Sequence, residues 1–88
     1  MDVEVKLTGT LSARTGTHHA RVGVGSDATV TDVVDALAEQ FGPQVRSGVI
    51  VGSRLRTDTV VVRESPDSET LSAGSNVRDG DTVRFQLA

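Results

Sequence analysis

One amphipathic helix in an otherwise strand-rich chain is the feature that most constrains the fold. Apolar residues recur at helical spacing on one face: Val30, Val33, Val34, Leu37 and Phe41. Thr29 has a side chain suited to an N-cap, and Asp32 is placed to complement the first turn. Gly42 fits the position that follows a helix, and Pro43 prevents the helix from continuing. The spacing therefore predicts a helix over Val30–Phe41 with one buried face.

Strand patterns lie on both sides of this helix. Residues 2–7 and residues 19–24 alternate polar and apolar side chains, and a loop is predicted over residues 12–16 between them. A short polar connection between two such strands predicts an antiparallel hairpin. Asp79, Gly80 and Asp81 form a predicted tight turn. Residues 82–87 then alternate again, which predicts a last strand with one buried face.

The region between the helix and the last strand is less regular. Residues 49–51 fit either a short strand or a buried turn, whereas residues 59–63 predict a strand. Residues 64–70 are typical of a turn or loop with Pro66 and Asp67 at its corner, and Leu71 and Val77 are the expected apolar anchors beyond it. The element order predicts an α+β fold. A four- to five-stranded mixed sheet should pack on one main helix, with the first and last strands as central neighbours.

Composition limits the classes of protein that the chain can represent. Its 88 residues predict a single domain over residues 1–88. The absence of cysteine rules out disulfides, a thiol nucleophile and thiolate metal sites. A net charge of −3 argues against binding to nucleic acid. No signal peptide precedes the first strand, and no apolar run approaches the roughly 20 residues of a membrane helix. We therefore expect a monomeric cytoplasmic protein that does not bind membranes.

Motifs for catalysis and metal binding are missing from the sequence. It contains no nucleophile elbow, phosphate-binding loop or dinucleotide fingerprint. His18 and His19 should point to opposite faces of a strand, so that they are expected to form a surface pair rather than a metal site. Asp32, Asp35 and Glu39 fit the solvated face of the helix. We therefore expect neither an enzyme nor a bound cofactor.

Three segments of the sequence, taken together, resemble one protein family. They are LSARTG at residues 11–16, DATVTDVVDAL at residues 27–37 and RDGDTVRF at residues 78–85. In this order they resemble the small sulfur carriers MoaD and ThiS and the small archaeal modifier proteins. The resemblance covers nearly the whole chain, and it implies the ubiquitin-like β-grasp fold. It also implies protein partners, among them an E1-like enzyme that adenylates the C-terminal carboxylate with ATP.

The C-terminal sequence departs from the pattern of this family. Family members carry their chemistry on a flexible tail that ends in Gly-Gly, where permissive backbone angles let the tail enter a narrow channel. This sequence ends in Gln86, Leu87 and Ala88 and contains no adjacent glycines. In one interpretation, the protein lacks conjugation chemistry and acts by binding other proteins. In the other, it is a sulfur carrier or protein modifier with a trimmed or atypical tail, whose C-terminal handle is Leu87 and Ala88.

The exposed face of the sheet is the docking surface that the resemblance implies. Strand alternation places six polar residues on this face: Glu4, Lys6, His19, Arg21, Arg84 and Gln86. Resemblance to the exposed central isoleucine of ubiquitin selects Val61 as its apolar centre, although single exposed valines are also common without function. The predicted partner-binding residues are Lys6, Arg21, Val61, Arg84 and Gln86. Lys6 is also the only lysine, and therefore the only side-chain amine that conjugation could modify.

Overall fold

Ten helices and strands form the fold in the computed structural model, which describes residues 1–64 and 68–87. In chain order they are β1 (Asp2–Leu7), α1 (Gly9–Thr15), β2 (His19–Gly23), α2 (Val30–Phe41), α3 (Gln44–Val49), β3 (Ile50–Val51), β4 (Arg54–Leu55), β5 (Thr59–Arg63), β6 (Glu69–Leu71) and β7 (Thr82–Leu87). Within these described residues, no helix is both long and apolar enough to cross a membrane.

A mixed five-stranded sheet organises the molecule. Its strand order is β2-β1-β7-β5-β6, and β1 and β7 are parallel neighbours at its centre. The other pairs in this sheet are antiparallel, including the predicted β1–β2 hairpin. The alternating patterns of β1 and β7 point Val5 and Val83 into the same core, where both are fully buried. The predicted α+β fold with central terminal strands is therefore confirmed.

Helix α2 has the bounds that its sequence pattern predicts. Thr29 Oγ1 accepts a hydrogen bond from the backbone N–H of Asp32, and the Asp32 carboxylate accepts one from the Thr29 backbone N–H. This reciprocal capping box satisfies two N–H groups that a helix start otherwise leaves unpaired. Four of the five predicted apolar residues of the helix are fully buried: Val30, Val33, Val34 and Leu37. Phe41, at the last position, is only partly buried against the core.

The segment between β1 and β2 differs from the predicted loop. Residues 9–15 form helix α1, and Gly16 ends it with a φ of 73° and ψ of 13°. Glycine adopts this left-handed conformation without the steric penalty that a Cβ atom imposes. Seven residues are too few to show a clear 3.6-residue period. The sequence alone therefore predicts a loop between the two strands. Thr8 anchors its start, because Thr8 Oγ1 donates to the Phe85 carbonyl oxygen at 3.1 Å.

The region from residue 43 to residue 71 also contains more regular structure than predicted. Val49 is the last residue of helix α3, and only Ile50 and Val51 of the predicted run form β3, which pairs with β4. The predicted loop over residues 64–70 contains the start of β6, and its corner at Pro66 and Asp67 lies outside the described residues. The expected anchors Leu71 and Val77 are both buried. Short elements of two to six residues carry too little periodicity for a pattern to reveal them.

One buried arginine connects the strands at one end of the core. Arg63 Nε donates to Asp81 Oδ2 at 3.0 Å, Nη1 donates to Glu69 Oε1 at 3.1 Å, and Nη2 donates to the Asn76 carbonyl oxygen at 2.6 Å. The Arg63 side chain is 5% exposed, compared with 11% for Asp81 and 59% for Glu69. The guanidinium therefore joins β5 to β6, to the segment after β6 and to the turn before β7. We call these four residues the Arg63 cluster.

Candidate functional site

The face of the sheet opposite the core presents polar and charged side chains in rows that run across the strands. In one row, Lys6 on β1 lies between His19 on β2 and Arg84 on β7. The row continues through Val62 on β5 to Thr70 on β6. Because neighbouring residues in such a row have Cβ atoms about 5 Å apart, their side chains can act together. We call the following residues the outer sheet face: Lys6, Arg21, Val60, Val62, Glu64, Arg84 and Gln86.

Glu64 connects the two central cations of this face. Lys6 Nζ donates to Glu64 Oε2 at 3.0 Å, and Arg84 Nη1 donates to Glu64 Oε1 at 3.3 Å. A third donor, Arg84 Nε, is buried and has no hydrogen-bond partner among the described residues. One carboxylate therefore faces two cations, so that the cluster keeps a net positive charge. Such a cluster can accept an additional carboxylate from a partner.

Val61 is not part of the outer sheet face, and its assignment to the partner-binding surface is wrong. It is 0% exposed and pairs with Phe85 on one side and Leu71 on the other, both of which belong to the core. Three consecutive valines leave the phase of the alternation undetermined, and pairing with β7 places the middle valine inward. The outward positions belong to Val60, which is 40% exposed, and to Val62, which is almost covered.

The other predicted residues share the outer sheet face but do not form one contact cluster. Lys6 and Arg84 are direct cross-strand neighbours, and both bind Glu64. Gln86 lies opposite Val60 across β7 and β5. Arg21 is exposed on the edge strand β2, one row away, where it lies opposite Glu4. Leu87 is the last residue of β7, and Ala88 lies outside the described residues.

Three members of the face, Val60, Val62 and Glu64, escaped the sequence prediction. Glu64 follows β5 in a segment that composition marks as a loop, so that its position opposite two cations depends on how β5 pairs with β7. Val60 could have been found by matching the alternation of β5 to that of β7, because Phe85 fixes which valine points inward. A further exposed apolar side chain, Val51, lies on the separate β3–β4 hairpin.

Among the residues that the structure describes, the two histidines and the acidic side chains do not form a metal site. In the described part of the chain, no group of three or more His, Cys, Asp or Glu side chains could hold a metal ion. The His19 ring contacts the Glu4 carboxylate on the sheet. Asp32 belongs to the capping box, and Asp35 accepts a hydrogen bond from Arg46 Nη1 at 3.1 Å.

Comparison with known proteins identifies the family through structure. No protein-family model matches the sequence, and no curated protein matches it. One crystal structure of small archaeal modifier protein 1 from Haloferax volcanii is 30% identical, covering 96% of this chain and 93% of that chain with a TM-score of 0.80. A second structure of the protein is 26% identical, covering 100% and 96% of the respective chains with a TM-score of 0.80.

A more distant match has the same fold. A chain of the BexX/CysO complex from Amycolatopsis orientalis superposes with a TM-score of 0.81 at 21% identity, covering 98% of this chain and 94% of that chain. The agreement extends over nearly the whole of both chains rather than over an isolated motif. This chain belongs to the ubiquitin-like β-grasp family that includes the small archaeal modifier proteins and the MoaD-type sulfur carriers.

Proposed function

We propose that this chain is a ubiquitin-like protein that acts by binding protein partners through its outer sheet face. The observation that carries the proposal is the exposed Val60 on the same face as the Lys6–Glu64–Arg84 cluster. The apolar sides of the strands point away from this face and into the core that contains the buried side chains of α2. Apolar contact combined with arginine is the composition that dominates binding energy at protein interfaces.

The charge of the cluster defines the kind of partner. Two cations share Glu64, and the Arg84 guanidinium has several N–H groups in a planar fork that can bind a carboxylate at two points. The partner surface should therefore present an aspartate or glutamate next to an apolar side chain that covers Val60. Such a contact weakens with ionic strength, because Lys6 and Arg84 both remain partly exposed.

The test is quantitative affinity capture from the host with charge-reversal variants. Arg84→Glu should lose the partners that the unmodified protein captures, because it places a second carboxylate beside Glu64. Arg56→Glu is the matched control, since Arg56 is also an exposed arginine with one carboxylate neighbour, Asp58, at 3.5 Å. The proposal predicts that Arg56→Glu retains the partners. Retention of the same partners by Arg84→Glu, in a protein that still melts cooperatively, contradicts it.

A second candidate function is that of a carrier or modifier activated at its C-terminus by an E1-like enzyme. The 30% identity to a small archaeal modifier protein over 96% of this chain favours it. The intact mass of the untagged protein from its native host tests this candidate. Added glycines, an added sulfur or an attached target support C-terminal chemistry. An unmodified mass that ends at Ala88, under conditions in which other carriers are loaded, refutes it.

The single lysine, Lys6, limits where a conjugate could be attached to this protein. It is the only lysine of the chain, and its side chain is 46% exposed although the amine binds Glu64. If this protein is itself a target of conjugation, the acceptor amine is Lys6 or the N-terminus. Lys6→Arg keeps the ion pair and should abolish every side-chain conjugate in a denaturing gel of the host extract. Side-chain conjugates that persist in this variant contradict the assignment.

A further inference from the structure

A groove runs between the edge strand β2 and helix α2, on the opposite side of the sheet from the outer sheet face. It consists of two adjoining hollows of 540 Å³ and 240 Å³, both of which are lined by Gly23, Ala36 and Glu39. Val22 borders the smaller hollow, and Val24 and Ala28 border the larger one. The groove therefore has a floor of small apolar groups beside the free edge of a strand. Neither the capping box nor the outer sheet face uses this floor.

The backbone of β2 leaves hydrogen-bonding groups unused along this groove. Antiparallel strands alternate between residues that bond to the partner strand and residues that point away from it. Val24 N–H donates to the Met1 carbonyl oxygen, and Leu7 N–H donates to the His18 carbonyl oxygen, both at 2.9 Å, which fixes the phase of the β1–β2 ladder. The backbone groups of Arg21 and Gly23 consequently point away from β1.

The other outward residue of β2 is already satisfied locally. Thr17 Oγ1 donates to the His19 carbonyl oxygen at 2.8 Å and accepts from the His19 N–H at 3.2 Å. Among the described residues, this leaves two N–H and two C=O groups, those of Arg21 and Gly23, for an added strand. β2 is also at the end of the strand order, so that no described strand occupies this side. An unpaired strand edge beside a groove is the arrangement that binds extended peptides by β-augmentation.

The charge of the groove lining indicates which kind of peptide segment the groove can bind. Asp27, Asp32, Asp35 and Glu39 line its larger hollow, whose described lining contains no lysine or arginine, and Arg46 pairs with Asp35. A bound segment in this position places alternate side chains over Ala36, towards the carboxylates of α2. Lysine and arginine satisfy both surroundings, because their aliphatic stems cover apolar groups while their charged ends reach carboxylates.

We propose that the groove between β2 and α2 binds an extended segment of a partner protein that carries lysine or arginine at alternate positions. The segment adds to β2 as a sixth strand and forms four backbone hydrogen bonds with Arg21 and Gly23. Its basic side chains face α2. A second copy of this chain does not fit the groove, because an antiparallel β2–β2 pair brings two acidic grooves together and their charges repel. The inference concerns a surface separate from the outer sheet face, and it stands or fails independently of the proposed function.

The probe is a fluorescein-labelled heptapeptide of alternating valine and lysine, titrated into the isotopically labelled full chain. We expect saturable binding with a Kd of about 0.1–1 mM. Resonance shifts should concentrate on β2 and α2, and hydrogen exchange should slow at the Arg21 and Gly23 amides. A heptapeptide with glutamate in place of lysine should not bind. No saturation with the lysine peptide, equal binding of the glutamate peptide, or shifts confined to the outer sheet face overturns the proposal.

Two substitutions at Gly23 test the backbone contribution to peptide binding. Gly23→Pro removes an N–H that points away from β1, so that the β1–β2 ladder remains while peptide affinity falls at least about tenfold. Gly23→Ala is the control and should stay within about twofold, since the nearest atom to its Cβ is Asp2 Oδ1 at 4.0 Å. Equal affinity of the two variants overturns the proposal.

Glu39→Lys tests the charge requirement even if the proline variant fails to fold. Glu39 is exposed and lines both hollows, so that its reversal should lower affinity about three- to tenfold and flatten the dependence on salt. Arg56→Glu, which lies outside both surfaces, should leave peptide binding unchanged. Unchanged affinity of Glu39→Lys, or concentration-dependent dimerisation of the free chain through β2, overturns the assignment of a basic partner segment.

Discussion

Replacement of Arg63 by methionine should remove a large share of the stability of this fold. Methionine keeps most of the aliphatic volume but loses all three hydrogen bonds of the guanidinium. The bond to Glu69 contributes little, about 1 kcal/mol or less, because that carboxylate is mostly exposed. Loss of the ion pair with Asp81 accounts for most of the destabilisation, since the variant leaves a nearly buried carboxylate without its cation. Breaking a buried ion pair by removing one partner typically costs about 3–5 kcal/mol.

The expected loss can be compared with the total stability of the domain. At about 0.05–0.15 kcal/mol per residue, a chain of 88 residues has a free energy of unfolding of about 4–13 kcal/mol. Arg63→Met should therefore lower the urea midpoint by about 2–5 M in equilibrium unfolding, given a slope of about 1–1.5 kcal/mol per molar. Arg46→Met is the matched control, because Arg46 forms one exposed pair with Asp35 and should cost less than about 1 kcal/mol.

A double variant identifies the physical cause of the destabilisation by Arg63→Met. Arg63→Met combined with Asp81→Leu removes both charges, and it should recover part of the loss because no buried carboxylate remains without a partner. The Asp81 side chain also accepts from the Arg78 N–H at 2.8 Å, so that recovery should be incomplete. A loss below about 1 kcal/mol for Arg63→Met refutes the argument that this cluster holds the strand ends together.

Five further substitutions, grouped in three tests, examine the packing and the local geometry by thermal or urea unfolding. Leu37→Ala should cost about 2–5 kcal/mol, and Phe41→Ala should cost less, because only Leu37 is fully buried; equal losses contradict the core assignment. Gly80→Ala should cost about 1 kcal/mol because Gly80 has a φ of 84°, whereas Gly74→Ala should be nearly neutral; equal effects contradict backbone strain. Thr29→Ala should cost about 0.5–2 kcal/mol through loss of the cap, and an unchanged midpoint contradicts the capping box.

Local patterns predicted the long elements correctly for a physical reason. The bounds of α2 follow from its cap, its apolar spacing and the Gly42-Pro43 stop, all of which act within a few residues. β1 and β7 were predictable because each alternates over six residues, so that only one side of the strand can be buried. The short helices α1 and α3 depend on contacts with distant segments, such as that of Thr8 with Phe85. No local sequence pattern predicts them.

The candidate surface was only partly predictable because it depends on how strands pair. Outward positions on β1 and β7 follow from alternation, which places Lys6 and Arg84 on one face. The run of three valines in β5 has no phase of its own, and only its register with Phe85 sends Val61 inward and Val60 outward. The same register of β5 with β7 places Glu64 beside Lys6 and Arg84.

The sequence by itself determined the order of the long elements, the buried side of β1, α2 and β7, and the family resemblance. Those properties come from periodicity and from turn and cap chemistry, which act between residues close together in the chain. Tertiary structure alone decided the phase of β5, the burial of Arg63 and the groove beside Gly23. Each of these depends on which distant segments become neighbours, and that choice is made by the packing of the whole core rather than by any single stretch of sequence.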